Sequence, residues 1–157
     1  MKRIVTFLAS GILLFSVAAC NGAKTSSVAP DSTQDEVKVP SAEEAKDAKQ
    51  DAISETRRRQ LNEDIRASEQ RNNTFNEGAL ENRSDKDVAS EVRSKLEANI
   101  PASALVIETK DGVVTVSGTV PTQQQYDKIA NLAKEIKGVK DVKIQATVAP
   151  AKTEKNN

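Results

Sequence analysis

The stretch Asp111-Gly112-Val113-Val114-Thr115-Val116-Ser117-Gly118-Thr119-Val120 restricts the fold more than any other part of this chain. Asp and Gly tolerate the positive φ that a two-residue hairpin turn demands. The β-branched residues that follow favour a pleated strand. Val114, Val116 and Val120 share one phase, so this strand has one buried face. On the other side of the turn, Leu105-Val106-Ile107-Glu108-Thr109 reads as the partner strand.

The flanking residues carry a helical period instead. Ser84 with Asp87 resembles a cap signature, and Val88, Val92 and Leu96 recur four apart on one helix face until Pro101 stops the run. Pro121-Thr122 opens a second helix, with Tyr126, Ile129, Ala130, Ala133 and Ile136 at helical spacing and Gly138 as its C′ residue. Val142, Ile144, Ala146 and Val148 then alternate with Lys143, Gln145 and Thr147, a last one-sided strand. The order over residues 84–149 is therefore α-β-β-α-β. It predicts an α+β two-layer sandwich, with two helices on one face of a three-stranded sheet. The opposite face, bearing Glu108, Lys110, Thr115, Ser117, Lys143 and Gln145, is expected to stay wet.

Residues 87–148 resemble a BON domain, the module named for bacterial osmotically induced periplasmic and nodulation proteins. The resemblance rests on the Val88/Val92/Leu96 helix, on the block Asp111–Val120 with Gly112 and Gly118, and on Gly138-Val139-Lys140-Asp141-Val142-Lys143-Ile144. It implies the fold above, no catalytic activity, no cofactor, and a role in contacting phospholipid surfaces or maintaining the cell envelope. A second block of this kind is absent, as is any stretch resembling a peptidoglycan-binding module.

The chain opens quite differently. Met1-Lys2-Arg3 is a short positive head, and Ile4–Ala19 is uncharged and apolar, the pattern of a secretory signal. The run is diluted by Thr6, Ser10, Gly11 and Ser16, and it is short against the about 20 apolar residues that a spanning helix needs. It ends in Val17-Ala18-Ala19-Cys20, which resembles a bacterial lipobox, with the only cysteine of the chain in the lipidated position. The resemblance implies cleavage after residue 19 and a membrane attachment through acyl chains on Cys20, since two or more chains give stable anchoring where one does not. Asn21 stands where an Asp would signal inner-membrane retention in some Gram-negative bacteria, which favours the periplasmic face of the outer membrane.

Residues 20–40 mix Ser, Thr, Pro, Gly and charge without an apolar period and read as a flexible tether. Residues 41–83 read as a charged spacer. Within it, Ser41 and Glu44 form a capping-box pattern, and strong helix formers run uninterrupted to residue 71. The apolar stripe of Ala45, Ala48, Ala52, Ile53, Leu61 and Ile65 is thin, so this helix is expected to be solvated, and Arg57-Arg58-Arg59 to lie on its wet face. Residues 150–157 read as a disordered tail.

Composition narrows the function classes. There is no His and one Cys, which excludes a zinc site built on those residues and a His-based triad. Without Lys2 and Arg3 the chain carries 21 basic and 23 acidic residues, giving no sign of bulk nucleic-acid binding. The glycines at 11, 22, 78, 112, 118 and 138 include no pair three apart, so the GXXG clamp of RNA-binding KH modules is missing. No nucleophile–base pair or phosphate-cradling loop is visible, and no enzyme is expected. The candidate lipid contacts are Lys134, Lys137, Lys140 and Lys143, which could each add about 1 kcal/mol near an anionic membrane. The expectation is thus a lipid-anchored, non-catalytic envelope protein touching anionic phospholipid. The alternative is a protein-binding or chaperone-like module with envelope proteins as partners.

Overall fold

A computed structural model describes residues 22–152. Cys20 and the signal segment lie outside the described residues. The chain runs β1 (Ala23–Lys24), α1 (Ala42–Ile53), α2 (Glu55–Phe75), α3 (Asp85–Asn99), β2 (Ala104–Lys110), β3 (Val113–Val120), α4 (Gln123–Tyr126), α5 (Ile129–Lys134), β4 (Asp141–Ile144) and β5 (Thr147–Val148).

The hairpin forms as its residues require. Asp111 and Gly112 both take positive φ, 54° and 81°, and β2 pairs antiparallel with β3 from Ala104↔Thr119 to Lys110↔Val113. The returning strand lies parallel to β3, with Val113↔Asp141 through Val116↔Ile144 and then Thr119↔Thr147 and Val120↔Val148. One register runs through both pieces. The pairing lapses opposite Ser117–Gly118, where Gly118 has φ +116° and a Cβ would lie 2.0 Å from the Ala104 carbonyl oxygen. Only glycine fits there, and the kink it allows divides the expected last strand into β4 and β5.

Val88, Val92 and Leu96 from α3 with Ile100 at its C-cap, Leu105, Ile107, Val114, Val116 and Val120 from the sheet, and Ile129, Ala133 and Ile136 from the second helical segment form one core. That is the expected two-layer α+β arrangement. The second segment is tighter than expected. It breaks between α4 and α5, where the Lys128 amide donates to the Gln125 carbonyl, a three-residue turn in place of a four-residue one.

Three expectations are corrected. First, the segment read as a tether is docked. β1 adds to the free edge of β2 through Ala23↔Ile107 and Lys24↔Val106, making a sheet ordered β1-β2-β3-β4 where three strands were expected. The Thr25 hydroxyl sits among the Ser103 carbonyl, the Leu105 carbonyl and the Leu105 amide. Second, the far sheet face is partly covered. Val106 and Ser117 are buried, and a Cβ on Gly22 would stand 2.3 Å from a Val106 methyl, so the backbone lies directly on that side chain. Thr33 donates to Glu108 from its amide at 3.0 Å and its hydroxyl at 2.7 Å. These polar partners are what a hydrophobic period cannot reveal. Lys110, Lys143 and Gln145 remain exposed, as expected.

Third, the spacer helix is not wholly solvated. Its capping box is present, with Ser41 and Glu44 bonded reciprocally. Ser54 leaves helical geometry at ψ 143° and caps α2 by accepting the Arg57 amide, so the long helix becomes two. α2 then packs along α3 with Leu61 fully buried. Charged side chains join the two helices as well. Arg57 grips Glu97 at 2.5 and 3.0 Å, Arg93 joins Glu97 to Asp64, and Arg71 meets Asp87. Arg57, expected on the wet face, thus docks α2, and its guanidinium pKa is raised chiefly by the bond to Glu97. Asp87, engaged with Arg71, takes no part in capping α3, and Ser84 makes no side-chain cap bond.

Candidate functional site

Three connections meet at one end of the molecule: the turn 111–112, the α2–α3 loop 76–84, and the turn 135–140 after α5. The Asp85 carboxylate accepts from the Asp111 and Gly112 amides, and the Lys140 amide donates to the Gly112 carbonyl. A Cβ on Gly112 would meet the Gly138 carbonyl at 2.7 Å, and one on Gly138 would meet the Arg83 side chain at 2.9 Å. The turn glycines of the sequence motif, Gly112 and Gly138, therefore let these connections close on one another. Gly118 works farther along β3, as described above.

Arg83 holds this end together from inside. It donates to the Lys137 carbonyl at 2.6 Å, to Glu91 at 2.5 Å and to Glu69 at 3.2 Å. Both Arg83 and Glu91 are almost fully buried, with side chains 2% and 1% exposed. Burial pushes the Glu91 carboxyl up to about 7, against the pull of Arg83 and with the neighbouring Glu69 and Asp87 carboxylates adding to the rise. Periodicity did not single out this pair, because Glu91 sits one position ahead of Val92 in an otherwise ordinary charged helix. An Arg just before a helix that has an acid one or two turns inside it is the available signal.

The four candidate lysines do not form one patch. Lys134 closes α5 in the helix layer. Lys143 pairs in register with Thr115 on the opposite sheet face. Lys137 is bound to Glu69 of α2 at 3.3 Å, and Lys140 lays its stem beside Gly112. Only Lys137 and Lys140 share the end just described, together with Lys110. The exposed acids Glu77, Glu81, Asp111 and Asp141 stand among them, so the local charge is balanced.

Apolar exposure was not anticipated there. Phe75, the last residue of α2, is 83% exposed, and Leu80 in the following loop is 54% exposed. Phe75 is the only Phe after residue 15, and its place before a Gly-containing loop is a signal that sequence reading passed over. A cleft lies elsewhere, between residues 24–40 and Lys152, and holds Asp31, Asp35, Glu44 and Lys152 without a nucleophile–base pair. On the sheet's far face, burial would raise the Glu108 carboxyl, but the bonds from Thr33, with Ser32 adding to them, bring it below the usual range. Among the described residues no cluster of ligating side chains could hold a metal. No described helix is long and apolar enough to cross a membrane.

Comparison with known proteins agrees with this geometry. The BON domain family model matches residues 84–150, beginning at the N-cap of α3 and leaving β1, α1 and α2 outside it. Osmotically-inducible protein Y of Escherichia coli (strain K12) is 44% identical over 61 residues. That match covers 38% of this chain and 30% of the relative, so the two share a domain and not their whole length. With its hairpin glycines, its kinked central strand and its family match, the part of this chain from Ser84 to Pro150 is a BON domain.

Proposed function

We propose that this chain is a lipid-anchored envelope protein with a non-catalytic BON domain that works against a phospholipid surface and serves in envelope maintenance under stress. The observation that carries the reading is the position of Cys20. It ends a lipobox-like sequence, and only Asn21 separates it from Gly22, whose amide donates to the Asp31 carbonyl. An acylated Cys20 would therefore keep the domain at the bilayer. The osmotic induction named for the Escherichia coli relative supports the stress role. The scatter of Lys134 and Lys143 over different faces favours, as a second reading, an envelope-protein partner over a lysine-based lipid reader.

The test is acylation in a bacterial host. The full chain, grown with an alkyne-bearing fatty acid, should become labelled and gain the mass of its acyl chains, and Cys20→Ser should abolish both. An unlabelled wild-type chain, cleaved or not, would overturn the lipid-anchor reading.

A further inference from the structure

We infer that the end of the molecule formed by Phe75, Leu80 and the turn 111–112 is the face that meets the phospholipid bilayer, and that it does so by apolar contact more than by charge. The inference rests on the lipid-anchor reading above and specifies how the anchored body is oriented.

The course of β1 sets the direction. β1 is antiparallel to β2, with Ala23 opposite Ile107 and Lys24 opposite Val106. Going back along the chain from Ala23 therefore means advancing along β2, toward Glu108 and Lys110. Gly22 already lies at Glu108, 3.4 Å from its side chain when a Cβ is placed on it. Two residues of chain reach at most about 7 Å, so Cys20 stays within that distance of Gly22. A free tether of the same 20 residues would instead wander about 25 Å. From Gly22 onward the docked segment removes that freedom, so chains attached at Cys20 would enter the bilayer at the end of the molecule where the β2–β3 turn lies.

The same end presents the most exposed large apolar side chain among the described residues. Phe75 precedes the α2–α3 loop, Leu80 lies within it, and Arg83 ties that loop to the Lys137 carbonyl beside the hairpin. A solvent-exposed Phe at the same end as the lipid entry point would have an apolar phase within reach. Lys110, Lys137 and Lys140 are there too, but Glu77, Glu81, Asp111 and Asp141 offset them. Such a balanced rim gives little net attraction to anionic lipid, so the contact should change little with salt. Ile53, also exposed, sits at the other end of α2, about 30 Å away at 1.5 Å per residue.

The test uses the acylated chain in vesicles of phosphatidylethanolamine and phosphatidylglycerol. Thioether formation at Cys20 removes the chain's only thiol, so Phe75→Cys, Leu80→Cys and Ile53→Cys each create a single labelling site. Each is labelled with an environment-sensitive fluorophore and titrated with bromine-substituted acyl chains as quencher. Labels at 75 and 80 should be quenched severalfold more than the label at 53, at both low and high salt. Equal quenching at all three sites would mean that the molecule lies flat, and quenching at none would mean that this end faces water. Either result overturns the inference. Flotation of the unlabelled chain with the vesicles keeps the two readings apart: a chain that fails to float refutes the anchor itself, whereas one that floats with an aqueous Phe75 refutes only the orientation.

Discussion

Arg83 and Glu91 show how much one buried pair can govern. Removing one partner from a buried ion pair costs about 3–5 kcal/mol, because the other charge stays behind without compensation. Here the carboxyl can escape by taking a proton, since its pKa lies near 7 in the folded chain against an ordinary value of 4.5. The folded state therefore binds more protons than the unfolded one between those limits. Stability from this group is complete below pH 4.5 and falls away as the pH rises through about 7, by roughly 3 kcal/mol at 1.36 kcal/mol per unit. Urea midpoints measured from pH 5 to pH 8 should fall with rising pH in the wild type, and Glu91→Gln should flatten the slope. Arg83→Met, which strips the lowering influence, should be more damaging at pH 8 than at pH 5. An equal loss at both pH values would show that Glu91 does not carry the titration.

At the scale of elements, α2 is the informative case. Its composition is that of a solvated spacer, and most of its surface is wet, yet Leu61 is 1% exposed. A side chain so enclosed predicts a loss of about 2–5 kcal/mol for Leu61→Ala. Arg59→Ala, two residues earlier, breaks only the exposed Arg59–Glu55 pair and should leave the midpoint nearly unchanged. Thermal melts of both variants check this, and two silent substitutions would mean that α2 is not docked in solution. The core helices and strands were legible because their apolar residues recur at one period and their turns carry Gly or Pro. α2 was not, because its docking uses Arg57, Arg71, Asp64 and one leucine, and a charged residue looks the same whether it faces water or a partner.

For the whole molecule, the decisive feature is the return of residues 22–40 across the sheet. A flexible tether would exchange its amide hydrogens at the rates of an unstructured chain. In the docked segment the Gly22 amide donates to the Asp31 carbonyl and the Thr25 amide to the Leu105 carbonyl, both at 2.9 Å. Hydrogen exchange should therefore find Gly22 and Thr25 protected to the extent of the neighbouring β2 amides, while Glu36, exposed in the loop, exchanges freely. Free exchange at Thr25 would restore the tether.

The candidate site divides along the same line. Cys20 lies outside the described residues, and its reading rests on its position at the end of a lipobox-like sequence alone. The lysine cluster was legible as a composition but not as a surface, since neighbours in sequence such as Lys140 and Lys143 leave toward different sides once the strand begins. Phe75 and Leu80 were overlooked because an isolated apolar residue in a polar stretch carries no period.

By itself the sequence determined the α-β-β-α-β order and the hairpin at Asp111-Gly112, since these follow from local φ preferences and from the spacing of apolar residues. Only the tertiary structure decided that β1 closes the sheet edge and that ion pairs join α2 to α3. Those outcomes depend on polar partners dozens of residues apart, and a hydrogen bond or ion pair leaves no periodic trace in the chain that makes it.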